Sequence, residues 1–162
     1  QKNLSPIKNL AITVSIEHFT AVLADLLLRE GSVLDRADPA MRALWRWHAA
    51  EELEHKSVAF DVYRAVGGSE AMRIGVMRRV SVFLAFELTR ALLTILRRDG
   101  QLLNVRLWRA GLAGLFGRQG VFSGAGPLYR AFFRKGFHPE QQDTGELLAR
   151  WAAEPVPSSA PA

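Results

Sequence analysis

Glu52 and His55 stand three residues apart. On a helix that spacing sets both side chains on one face, with Cβ atoms about 5–6 Å apart. A carboxylate oxygen and an imidazole nitrogen so placed can share one metal ion. His48, Glu52 and His55 fall at i, i+4 and i+7, so all three occupy that face. His48 reads as an additional ligand, a proton shuttle or a group that supports the ligands. Glu17 lies in the apolar stretch Ser15-Ile-Glu-His-Phe-Thr-Ala21. A carboxylate in such surroundings is costly unless it is paired or coordinates a cation. The expected metal ligands are therefore Glu17, Glu52, His55 and His48, with His48 and Glu52 as the catalytic pair.

Chain arithmetic links the two segments. Glu17 lies 14 residues before Gly31, and Glu52 lies 14 after Asp38. At the rise of a helix both sit about 21 Å from the turn between them. Antiparallel packing then brings Glu17 and Glu52 to one level. Four-helix carboxylate proteins build two-metal sites this way, two helices each giving one Glu and two others each giving Glu-x-x-His. A carboxylate and imidazole set accommodates two divalent ions of iron, manganese or zinc.

The neighbouring polar residues have plainer readings. Glu51 and Glu54 flank the ligand face and read as solvated, or paired with Lys56, Arg46 or Arg42. His18 lies about 100° round the helix from Glu17 and reads as support for the site or as a histidine held between helices. Asp25 and Asp61 are candidates to orient a ligand imidazole. His138, in Phe137-His138-Pro139, reads as structural. Trp45, Trp47, Phe60 and Tyr63 read as core or interface.

Helices must carry these residues. Ser5-Pro6 is a start signal, Ser5 capping and Pro6 in the first turn, and Gly31 a stop. Asp38-Pro39 repeats the start for a helix to about Val66, before Gly67-Gly68. Ser69 opens a third helix to about Arg98, ended by Asp99-Gly100, and a fourth segment covers about 101–115. Glycines 117, 120, 124 and 126 mark a loop that fits neither phosphate-binding glycine pattern. Residues 127–135 read as a short helix, and Asp143-Thr144-Gly145-Glu146 as a capping box for a helix over 144–153. The expected fold is all-α, an antiparallel helical bundle with extra C-terminal helices. Residues 1–153 form one domain, divided into a metal-ligand hairpin (6–66) and additional helices (69–153), and residues 154–162 a disordered tail.

At 162 residues, 49% hydrophobic and 23% charged, the chain has the composition of a single domain, or part of one, with a sizeable core. It contains no cysteine. That excludes a disulfide scaffold, a zinc ribbon, an iron–sulfur cluster and a cysteine nucleophile, and suits the cytoplasm. The chain opens on Gln1, which fits a processed or truncated polypeptide, and no signal-peptide pattern is present. Residues 1–66 carry 8 Lys/Arg and 9 Asp/Glu, whereas residues 67–162 carry 13 and 7. The cations are spread through amphipathic segments and form no stripe with interleaved aromatics, which argues against nucleic acid. Val80–Leu96 is strongly apolar but interrupted by Glu87 and Arg90. It reads as a buried or amphipathic helix rather than a spanning one, with peripheral membrane contact as the alternative function.

The blocks Leu10-Ala-Ile-Thr-Val-Ser-Ile-Glu17-His18-Phe-Thr-Ala21 and Leu44-Trp-Arg-Trp-His48-Ala-Ala-Glu-Glu52-Leu-Glu-His55-Lys-Ser-Val-Ala-Phe-Asp61-Val-Tyr63, with Phe137-His138-Pro139, resemble the bacterial family of predicted metal-dependent hydrolases. The resemblance implies a ferritin-like helical domain with a carboxylate- and histidine-rich di-metal site. It places Glu17 and Glu52-x-x-His55 on the family motif, with His48 beside them. It also implies a further Glu and a second Glu-x-x-His from an upstream half, so this chain resembles the downstream half. An N-terminal segment or the second copy of a homodimer would complete the site. The implied activity is hydrolysis of a small-molecule substrate of unread identity, with di-iron oxidase or oxygenase chemistry as the alternative.

Overall fold

Two proline-led helices set the frame. The structure, a computed structural model, describes residues 5–154. Helix α1 spans Pro6–Leu28 and α2 spans Pro39–His55, each with its proline in the first turn, where no amide proton is needed. Asp38 caps α2, its Oδ1 accepting from Ala40 N at 2.9 Å and Met41 N at 3.3 Å. Ser5 makes no side-chain cap on α1. Its carbonyl takes the amides of Lys8 and Asn9 instead. Replacing Asp38 by Ala should cost about 1 kcal/mol, read as a lower urea midpoint with an unchanged slope.

The single helix expected over 39–66 is two. α2 ends at His55, Lys56 and Ser57 form a turn, and α3 runs Val58–Ala65. The joint is held from the side. Lys56 Nζ donates to Gln142 O (2.7 Å) and Thr144 Oγ1 (2.9 Å), and Ser57 Oγ donates to Glu140 Oε1 (2.8 Å). A segment more than 80 residues away therefore bends this helix, and local periodicity carries no trace of that. Asp143, first in the expected capping box, accepts from Gly145 N through Oδ1 (2.9 Å) at the start of α7, Gly145–Ala152.

Helix α4 spans Glu70–Arg98, with Ser69 Oγ accepting from Met72 N and Asp99–Gly100 ending it, as expected. Tyr63 folds over the α3–α4 turn to donate to Ser69 O (2.8 Å), and its ring lies where a Cβ on Gly68 would be, 2.3 Å away. Helix α5, Val105–Phe116, starts later than expected because Asn104 caps it through Leu107 N. Helix α6 covers Ala125–Ala131 rather than 127–135, and residues 132–136 form turns. Among the described residues there is no strand, and the fold is all-α. Glu154, expected in the tail, pairs with Arg46 (Nε to Oε2, 3.0 Å). The remainder of the expected tail, 155–162, lies outside the described residues.

α1 is the central element, packed against α2, α3, α4, α6 and α7. One core cluster joins Ala11 and Val14 of α1 to Phe60, Tyr63, Met77, Phe132 and Phe137. A second joins Ala21, Ala24 and Leu28 to Ala49, Ala50 and Leu53 of α2. Alanines facing alanines let α1 and α2 approach closely. Arg73 is 1% exposed and binds the 132–134 turn to α4. Its guanidinium donates to the carbonyls of Phe132 and Arg134 and lies 4.7 Å from the Phe132 ring. By length and composition, α1 alone among the described helices could cross a membrane, yet half of that window is buried in the fold. The stretch Val80–Leu96 does not pass the same test. It is not a buried helix either: beyond Met77, α4 contributes no buried residue, and α5 has none.

Candidate metal centre

Glu17 sits mid-way along α1, half-buried against the α2–α3 joint. Burial raises its carboxyl above the usual range. The backbone N–H of Ala59 opposes that rise, the negative charge of Glu52 adds to it, and His55 lowers it. The break at Lys56–Ser57 explains the amide. Ala59 lies in the first turn of α3, where backbone N–H groups have no helical acceptor. That donor depends on the break, so sequence reading missed it. Glu17 thus feels both Glu52 and His55, which agrees with the antiparallel register derived from the chain.

Glu17 Oε2 is buried and has no hydrogen-bond partner among the described residues. A desolvated carboxylate beside a second carboxylate, with one oxygen unsatisfied, is the electrostatic situation that a cation relieves. The donor set around it suits a divalent ion. Glu52 is half-buried, and His48 Nε2 lies 3.6 Å from Glu52 Oε1, close enough for electrostatic contact but too far for a hydrogen bond. His48 is exposed and meets Trp45 edge-on. His55 is exposed at the last position of α2. As the side chains stand, no group of three or more histidines and carboxylates among the described residues is gathered closely enough to hold a metal. His48, Glu52 and His55 share one side of α2, Glu17 stands on α1, and the four stop short of a closed coordination sphere.

Residues 1–143 match the family model described as predicted metal-dependent hydrolase. The chain belongs to this family. No curated protein and no solved structure matches the chain. In this member of the metal-dependent hydrolase family, the matched span covers α1 to α6 and ends before α7.

The other polar residues expected near the centre serve elsewhere in this hydrolase-family chain. Asp25 is ion-paired with Arg29 one turn on. Asp61 does hold a histidine, but it is His138, at 2.8 Å through Nε2. His138 Nδ1 accepts from Glu140 N, so Nε2 carries the proton and donates to Asp61. Neither aspartate orients His48 or His55. Glu51 and Glu54 have no ion pair among the described residues: Arg46 is taken by Glu154, and Lys56 by the 142–144 segment. Phe60 and Tyr63 are core as expected, whereas Trp45 and Trp47 are exposed.

His18 lies away from the metal face. It is buried against Phe132 and Phe137, with ring centroids at 4.7 and 5.5 Å. Burial pushes its pKa down to about 4, the backbone at Tyr129 and Leu128 opposing and the Arg73 charge assisting. Above pH 6.5 His18 is neutral whether folded or unfolded and contributes no pH dependence. As pH falls from 6.5 towards 4, the unfolded chain takes up a proton that the folded chain refuses. Stability should therefore drop by up to about 3 kcal/mol across that window. Thermal melts at pH 7 and pH 5 on wild type and His18→Leu check this, the variant losing the His18 share of the decline.

Proposed function

We propose that this chain holds a divalent metal ion through Glu17, Glu52, His55 and His48 and uses it in hydrolysis. The reading rests on one observation above the rest: the partly buried Glu17 carboxylate, one oxygen unsatisfied, held within the field of Glu52 and His55. Membership in the predicted metal-dependent hydrolases supports it. The bound ion would supply Lewis acidity towards a water and towards the group being cleaved.

The chain's own residues have separable parts. Glu17, fixed on the central helix, gives the least mobile oxygen donor. Glu52 gives a second oxygen and takes the proton released by the attacking water. His55 gives a nitrogen donor. His48, exposed and 3.6 Å from Glu52 Oε1, passes that proton to solvent. His48 and His55, both exposed, would have to turn towards Glu17 and Glu52 to complete the set. A second ion needs another Glu and another Glu-x-x-His, as in four-helix carboxylate centres. A second copy of the chain, or a further polypeptide segment, would bring them.

Titration with Co(II) tests the ligand set, because its visible bands report coordination number and nitrogen donors. Bands that saturate in wild type, are displaced by Zn(II), and weaken at least tenfold in apparent affinity in His55→Ala support the assignment. Bands indifferent to His55→Ala overturn it.

A further inference from the structure

The segment from Arg78 to Arg118 is unlike the rest of the chain. It holds eight arginines, no lysine and two acidic residues, which is more than the whole net charge of the protein. Among the described residues, every large apolar side chain more than 60% exposed lies in it. Phe86 is 63% exposed, Leu103 90% and Phe116 67%. Phe86 and Ile95 are nine residues apart, so they project from opposite sides of α4, and both are exposed. A helix apolar all round belongs in an apolar medium, and one packed partner helix covers only one side.

Four observations choose the occupant. All eight arginines are exposed, so the arm presents cations and apolar groups together. Pairing this arm with that of a second copy would set two strongly positive surfaces against each other. The acidic residue mid-way, Glu87, is neutralised by Arg90 at 2.7 Å, which leaves the apolar stretch without a free negative charge. Val80–Leu96 is about 25 Å long as a helix, shorter than the hydrocarbon core, so it does not span. Beside Arg78 and Arg79, an open recess of about 550 Å³ lined by Val82, Phe83 and Phe86 gives room for acyl chains next to cations.

We propose that the arm from Arg78 to Arg118 docks on an anionic lipid surface, its phenylalanines and leucines entering the acyl boundary and its arginines meeting the phosphates. This surface is independent of the metal centre. Failure of one leaves the other standing.

Co-sedimentation of the full chain with large vesicles tests it, comparing phosphatidylcholine alone with phosphatidylcholine containing a third of phosphatidylglycerol. The expected result is binding to the anionic vesicles at low salt that weakens as salt is added. Arg97→Gln with Arg98→Gln should weaken it roughly 30-fold. Phe86→Ser with Leu103→Ser keeps every charge and should also weaken it severalfold. All four side chains are exposed, and unchanged far-ultraviolet dichroism confirms that each variant is folded. Absence of binding to anionic vesicles at low salt overturns the proposal. So does an oligomer in sedimentation equilibrium that Phe86→Ser/Leu103→Ser dissociates while vesicle binding stays at the wild-type level.

Discussion

Glu52→Ala should lose bound metal without losing the fold. Removing one oxygen donor from a four-residue set should weaken affinity about 100-fold or more, since even the partners that only support ligands are worth 10- to 100-fold. The fold should not suffer. Glu52 is half-buried on α2, its carboxylate forms no hydrogen bond among the described residues, and it raises the Glu17 carboxyl by repulsion. Alanine is also the better helix former, by a few tenths of a kcal/mol. The metal-free variant should melt at or slightly above the metal-free wild type, while hydrolysis disappears. Plasma mass spectrometry and a melting curve on the same preparation separate the two effects. Retention of wild-type metal would remove Glu52 from the site. A large fall in melting temperature would show that its role is structural.

Arg73→Ala should do the reverse and damage the fold. The guanidinium satisfies the carbonyls of Phe132 and Arg134, and it lies within 6 Å of the rings of Phe60, Phe132 and Phe137. Its removal strands two carbonyls and opens a cavity under the aromatic cluster, at a cost of about 3–5 kcal/mol. For a domain of this size the melting temperature should fall on the order of 10 °C. Arg73→Lys should fall between the two, because an ammonium keeps the charge but not the fork that reaches both carbonyls. Melting within a degree or two of wild type would mean that the 132–136 turn is held by other contacts.

The helices were legible where the sequence states its own ends. Asp38-Pro39, Ser69 and Asp99-Gly100 are local signals, and the structure uses each. Ser5-Pro6 also marks the start of α1, although Ser5 makes no side-chain cap. The break at Lys56–Ser57 was not legible, because Lys56 and Ser57 bond to residues more than 80 positions away. That His48, Glu52 and His55 share a side of α2 followed from spacing alone, because i, i+4 and i+7 share a side of any helix. The role of Ala59 N–H did not, because it depends on the break. Asp61 was open to misreading for a similar reason: its partner His138 comes from a distant loop. The apolar stretch of α4 could be read as apolar but not as exposed, since exposure depends on what packs there.

The most direct test of the metal centre is the metal content of the chain, purified without a polyhistidine tag and reconstituted with iron, manganese or zinc. A Glu17→Gln/Glu52→Gln/His55→Ala variant should be measured beside it. At least one tightly held ion per wild-type chain, absent from the triple variant, is the predicted result. No retained ion in the wild type, or equal retention in both, would contradict the assignment of Glu17, Glu52 and His55 as ligands.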